Sequence, residues 1–184
     1  KFSSYNKLWR WSNDNPENFW ESIVEYFNIY LEKKKSFKAY NKKNYFWNST
    51  FFHNCNLNYY DLIYKNNSSD TAIEFIGENK YKEIITYGDL NKRVNALSNF
   101  FQSLGIKKGD VVVGYLPNIP DTIISFLSAA KIGAVWSSCS ADFGTQAVID
   151  RFSQLKPKLL IIADHYFYNG KKFDYSKNLR LLKK

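Results

Sequence analysis

The stretch from Val111 to Ala163 constrains the fold most. Three short apolar runs, Val111 to Leu116, Ala134 to Ser138 and Leu159 to Ala163, lack the polar alternation of a half-exposed strand. Such runs fit strands covered on both faces, the condition of a parallel sheet. Between them lie two stretches with helical spacing. Ile123, Ile124, Phe126, Leu127 and Ala130 run up to Gly133, and Val148, Ile149, Phe152 and Leu155 run up to Pro157. Strand, helix, strand, helix, strand with short links predicts a parallel sheet with right-handed crossovers, its helices near 119–132 and 145–156.

Upstream, Thr71 to Ile76 and Glu83 to Thr86 read as strands. Thr86-Tyr-Gly-Asp89 resembles a capping box, and Leu90, Val94, Leu97, Phe101 and Leu104 follow at helical spacing until Gly105. Near the start, Asn15-Pro16-Glu17 predicts a helix opening with a capping side chain. Phe19, Trp20, Ile23, Val24, Phe27 and Leu31 would share one face of it. Residues 33–70 mix Lys, Asn, Ser and aromatics and read as irregular. The expected organisation is a helical extension with an irregular aromatic-rich segment over 1–70, then a partial α/β domain over 71–184. With Lys1 first, no Met anywhere and no closing element after Arg180, the chain reads as a piece of a longer one. One layer over the sheet is therefore expected to be missing, leaving apolar surface exposed.

A chain of 184 residues, 45% of them hydrophobic, can bury a sizeable core. The net charge of +9 raises the prior for phosphorylated ligands, nucleic acid or anionic membrane. The lysines, however, sit in short scattered runs such as Lys33–Lys35, Lys107-Lys108 and Lys171-Lys172, which read as solvated surface. Lys, Asn, Tyr, Phe and Ile are abundant together, as AT-rich coding would produce. Aromatic-plus-basic composition could serve single-strand stacking, but no recognisable module accompanies it. Cys55 and Cys139 lie far apart, which argues against a disulfide scaffold or zinc site. No apolar stretch reaches the ~20 residues of a membrane span. The expectation is a cytoplasmic protein with neither nucleic acid nor membrane as partner.

In open parallel sheets ligands bind beyond the carboxyl ends of the strands. Pro117–Pro120, Ser137–Gly144 and Asp164–Lys172 are the three such places. Cys139 with His165 could form a nucleophile and base on neighbouring strand ends, but a buried structural cysteine is the commoner use. Gly170-Lys171 lacks the upstream glycine of a phosphate-binding loop, and no G-x-G-x-x-G occurs. The residues by themselves give a parallel α/β domain with an anion-tolerant rim.

Several motifs, in order, resemble the acetoacetyl-CoA synthetases. They are Arg10-Trp11-Ser12, Asn15-Pro16-Glu17-Asn18-Phe19-Trp20, Tyr115-Leu-Pro-Asn-Ile-Pro120, Gly133-Ala-Val-Trp-Ser-Ser-Cys-Ser140, Asp142-Phe-Gly144, Asp150-Arg-Phe152 and Tyr168-Asn-Gly-Lys171. Ala141 stands where that family usually has proline, and His53-Asn54 where it has Pro-Gly. The resemblance implies the large amino-terminal domain of an adenylate-forming enzyme. It implies ATP, CoA and magnesium (Mg2+) as cofactors, with acetoacetate activated as its adenylate and passed to the CoA thiol. It assigns Tyr168, Asn169, Gly170 and Lys171 to CoA, because basic residues after the equivalent strand of related acetyl-CoA synthetases meet CoA phosphates. It suggests Trp136, Ser140, Asp142 and Phe143 as wall of an acyl or CoA pocket. No catalytic residue and no metal ligand is assigned. The family's ATP-phosphate loop and terminal-domain lysine match nothing in this sequence, so the chain is expected to be inactive without the rest of its own chain. An acetyl- or propionyl-CoA synthetase-like fragment, and a non-catalytic CoA- or nucleotide-binding remnant, are the alternatives.

Overall fold

The computed structural model describes residues 2–64, 67–78 and 80–175. The chain packs as two compact units, Lys1–Leu57 and Asn58–Lys184.

The first unit begins with α1 (Tyr5–Asp14), whose Ser4 side chain accepts from the Lys7 amide at 3.4 Å. Asn15 closes this helix: its amide and its side chain both donate to the Trp11 carbonyl, at 2.8 and 3.2 Å. The next helix, α2 (Pro16–Tyr26), starts on Pro16 without a side-chain cap, so the cap expected from Asn15 is spent on the helix before it. Phe27 is the residue that ends α2, and Leu31 lies past it. Beyond it, β1 (Glu32–Asn41) pairs antiparallel with β2 (Thr50–Asn56), Tyr40 opposite Phe51. A hairpin thus occupies much of the stretch read as irregular. Lys, Asn and Ser interrupt any two-residue alternation there, and ring contacts support the pairing instead: across the strands Tyr40 lies 5.1 Å from Phe51 and Phe37 6.4 Å from Phe52 between centroids, and Trp20 of α2 packs on the same pair at 5.5 and 6.3 Å.

The second unit opens with α3 (Tyr59–Tyr64), ahead of the boundary expected at residue 70. It belongs here because Tyr60 buries in a cluster with Ile85, Leu90, Val94, Ile124 and Leu127. Next, β3 (Thr71–Ile76) and β4 (Lys82–Thr86) form an antiparallel pair, followed by α4 (Tyr87–Ser103). Thr86 caps that helix by accepting from the Asp89 amide at 3.1 Å. Gly105, at φ 80°, turns the chain away, a conformation that glycine adopts without a Cβ penalty.

The sheet follows as expected: β5 (Val111–Leu116), α5 (Pro120–Lys131), β6 (Val135–Ser140), α6 (Thr145–Ser153) and β7 (Leu159–Ile162). All three strands are parallel in the order β6-β5-β7. Side chains alternate between two layers. Val113, Tyr115, Leu160 and Ile162 pack with Val148 and Phe152 of α6. Val112, Leu159, Ile161 and Trp136 pack with Phe101 of α4 and Ala129 of α5. Helix therefore covers both faces of this sheet, and the expected missing layer is corrected for these strands. Gly114 lies directly beneath the Trp136 indole, where a Cβ would come within 2.6 Å of the ring. A third hairpin, β8 (His165–Tyr168) and β9 (Lys171–Asp174), closes the described part.

Candidate functional site at the carboxyl edge of the sheet

Each strand end is fixed by local chemistry. Pro117 stops β5, since it has no N–H for the ladder. Its carbonyl then accepts from the Thr122 hydroxyl at 2.7 Å, which sets the entry into α5. After β7, the Tyr175 amide returns to the Asp164 carbonyl at 2.8 Å, so the β8–β9 hairpin is tied at its base. At its tip Asn169 and Gly170 have φ of 50° and 70°. Both central residues left-handed is the type I′ geometry, for which Asn-Gly is the preferred sequence. Tyr166 stacks on Phe173 across the strands, with centroids 5.0 Å apart.

Two of the three strand ends share one cleft of about 520 Å³. Its walls are Pro117–Asp121, Ala163–Phe167 and, from the β3–β4 hairpin, Phe75–Glu78, Tyr81 and Glu83. The cleft is aromatic and acidic: Phe75, Tyr81 and Tyr166 line it with Glu78, Glu83, Asp121 and Asp164. Arg93 offsets one carboxylate, 2.7 Å from Glu83. Phosphate would meet net repulsion there. The exposed lysines expected at the rim, Lys171 and Lys172, lie instead on β9 beside the hairpin tip.

The third strand end stands apart from this cleft. The Ser140–Gly144 loop presents Ser140, Asp142 and Phe143 to solvent, with the Arg151 guanidinium 5.4 Å from the Phe143 ring. Two tyrosines pin it from below: the Tyr115 hydroxyl donates to the Phe143 carbonyl at 2.5 Å, and the Tyr175 hydroxyl donates to the Ala141 carbonyl. Burial, and secondarily the neighbouring Tyr115 hydroxyl, push the Tyr175 phenol up, keeping it a neutral donor. Trp136 is not beside these three residues on the rim but packs over Gly114 within the α4–α5 layer.

Cys139 and His165 do not assemble. Cys139 on β6 pairs with Tyr115, so β5 separates it from β7 and the His165 that follows. Cys139 is buried, and burial pushes its thiol up, with Arg151 opposing only in part. A raised thiol is a poor nucleophile. His165 Nδ1 sits 2.8 Å from the Asp164 carboxylate. Among the described residues no group of His, Cys, Asp and Glu converges as a metal site requires.

Sequence reasoning missed three contributors. Glu78, whose carboxylate reaches the Asn169–Gly170 turn, had a usable signal, since Gly77 to Lys80 sits between two expected strands. Tyr115 and Tyr175 had none, because their hydroxyl partners depend on which loops the topology brings overhead.

A family model described as AMP-binding enzyme matches residues 64–183. The chain is 36% identical over its whole length to an acetoacetyl-coenzyme A synthetase of Rhizobium meliloti (strain 1021), spanning 28% of that protein. It is 32% identical to an acetoacetyl-CoA synthetase of Macaca fascicularis, covering 96% of this chain and 27% of the relative. The structure of an acetoacetyl-CoA synthetase from Streptomyces lividans superposes on 99% of this chain and 28% of its own, with a TM-score of 0.93 at 30% identity.

Proposed function

The chain belongs to the AMP-binding enzyme family, and on that premise we propose that it forms part of an ATP-dependent acid–CoA ligase whose acid is acetoacetate. Acetoacetate would attack the α-phosphate of ATP, releasing pyrophosphate, and the CoA thiol would then displace AMP. The product would enter lipid and ketone-body metabolism. The observation that carries this reading is the likeness to acetoacetyl-CoA synthetases along the whole chain, which spans only 28% of such a relative.

The unit from Asn58 onward, which contains the matched residues 64–183, would carry the AMP-binding part, with residues 1–57 as its extension in place of the expected 1–70. Tyr168, Asn169, Gly170 and Lys171 would receive a CoA phosphate: Lys171 is exposed on β9 and supplies a flexible point charge. Tyr168, also exposed, would stack or donate. Ser140, Asp142 and Phe143 would face the acyl or CoA pocket from the neighbouring loop, and Trp136 would back it by holding β6 in place. Magnesium finds no convergent protein ligands among the described residues, so no step here is routed through it. Among the described residues β6 and β7 are the outer strands of the three-stranded sheet, and the partner for those edges would be the rest of the same chain. No helix among the described residues is long and apolar enough to cross a membrane, and both cysteines are free, which suits a cytoplasmic setting.

The test uses a complete ligase containing this sequence. It should release pyrophosphate with acetoacetate faster than with acetate or propionate, while the 184-residue chain alone should release none. Lys171→Ala in the complete enzyme should cost about 1.5 kcal/mol of CoA binding, roughly tenfold in KM, with adenylation spared. Equal rates on all three acids would reject acetoacetate, and an unchanged CoA dependence would reject the Lys171 assignment.

A further inference from the structure

The tip of the β8–β9 hairpin already holds an anion. In a type I′ turn the two central amides take no part in the strand pairing and are open to acceptors from elsewhere. Here the Asn169 amide donates to one carboxylate oxygen of Glu78 at 3.1 Å, and the Gly170 amide donates to the other at 3.0 Å. Adjacent N–H groups converging on one acceptor are the arrangement by which turns bind phosphate and carboxylate. Glu78 comes from the distant β3–β4 connection, where the Gly77 amide bonds the Tyr81 carbonyl at 2.8 Å and fixes the loop. Glu78 and the tip residues are all exposed, so an external anion can reach the same place.

We propose that Glu78 is a built-in competitor for the phosphate site at this tip: its carboxylate occupies the Asn169 and Gly170 amides that a phosphate group approaching Lys171 would otherwise take. The inference rests on the reading that this tip meets a phosphate of CoA, and it adds that binding there is an exchange. A dianionic phosphate forms stronger charge-assisted bonds than a carboxylate and has Lys171 beside it, so it can win. Its net affinity is set by the difference, and the negative charge of Glu78 lowers it further until the side chain swings away.

Amide resonances of the 184-residue chain, titrated with inorganic phosphate, test this. Glu78→Gln should move the Asn169 and Gly170 resonances before any ligand is added, because one acceptor and the charge are lost. It should then tighten phosphate binding at those amides roughly fivefold, as expected for an exposed charged contact. Glu78→Ala must tighten it as well, in a sample whose Tyr168–Lys171 cross-strand signals show the hairpin intact. Unmoved resonances in both variants would overturn the contact. Moved resonances without tighter phosphate would overturn the competition. CoA titrated into the same proteins separates this inference from the one beneath it. Tighter phosphate with no CoA binding in any variant would sink the CoA reading alone. CoA binding that Lys171→Ala weakens and Glu78→Gln leaves unchanged would sink the competitor alone.

Discussion

Residues 2–57 and the unit that starts at Asn58 are held together by different physics. The second unit buries aliphatic side chains from several elements: Val94, Val112, Val113, Leu127 and Val148 are at most 2% exposed. In the first, the fully buried hydrophobic residue among those described is Ala39, and neither α1 nor α2 buries any residue. Its cohesion comes from ring contacts, such as Trp11 with Phe19 at 6.2 Å and Trp20 with Phe51 at 5.5 Å. Aliphatic burial scales with area, about 25 cal/mol per Å². A ring contact adds only about 0.5–1.5 kcal/mol beyond its area. Rings can thus hold a hairpin in register without excluding water, and the first unit should open at lower cost than the second.

The largest effect should come from the aliphatic core. Leu127→Ala should destabilise the second unit by about 3 kcal/mol, read as a fall in its thermal midpoint. A loss under about 1 kcal/mol would mean that the cluster around Tyr60 and Leu90 collapses into the gap. Next comes Tyr175→Phe, which leaves the buried Ala141 carbonyl without its donor and should cost roughly 1–2 kcal/mol. Hydrogen exchange should then quicken across 141–144 rather than across β5. Trp20→Ala should cost about 1 kcal/mol and loosen only the β1–β2 amides. If it lowered the midpoint as far as Leu127→Ala, the contrast between the units would fail.

The smallest effect is electrostatic. Lys158 sits 2.7 Å from Asp110, which also accepts from the Lys107 amide at 2.9 Å, and in that order they hold the Asp110 carboxyl below its usual value. The folded pKa lies below the unfolded one. The contribution is therefore present above the unfolded value of about 3.9 and is lost as pH falls through the lower folded value. Asp110→Asn should lower stability slightly at neutral pH, where the contribution is present, leave the profile nearly unchanged below the folded value, and so flatten the acid limb between them.

The same contrast explains what could be read in advance. Val111–Leu116, Leu159–Ile162 and α4 announced themselves because burial on two faces makes an unbroken apolar run, and burial on one helical face sets apolar residues at helical spacing. The β1–β2 hairpin was illegible because its strands are polar by composition and paired through rings that follow no period. At the site, Tyr168 to Lys171 stood out by likeness, and Asn169-Gly170 turned out to be a hairpin tip, a signal present in the letters themselves. The cleft could not be read, because its walls come from residues near 77, 118 and 165 and only the strand order brings them together. That order also separates Cys139 from His165.

The contact between Gly114 and Trp136 bears on how such a chain can diverge. A methyl group at 114 meets the indole at once, whereas a smaller side chain at 136 merely leaves a hole. Overlap and cavity are penalties of different kinds, and only the hole can later be filled by the neighbour that made it tolerable to grow. The two positions therefore have a permitted order of change. A lineage must first lose the ring at 136 before anything larger than glycine settles at 114. Across descendants, a bulky residue at 114 together with tryptophan at 136 should be the missing combination, an evolutionary asymmetry written by a single close approach.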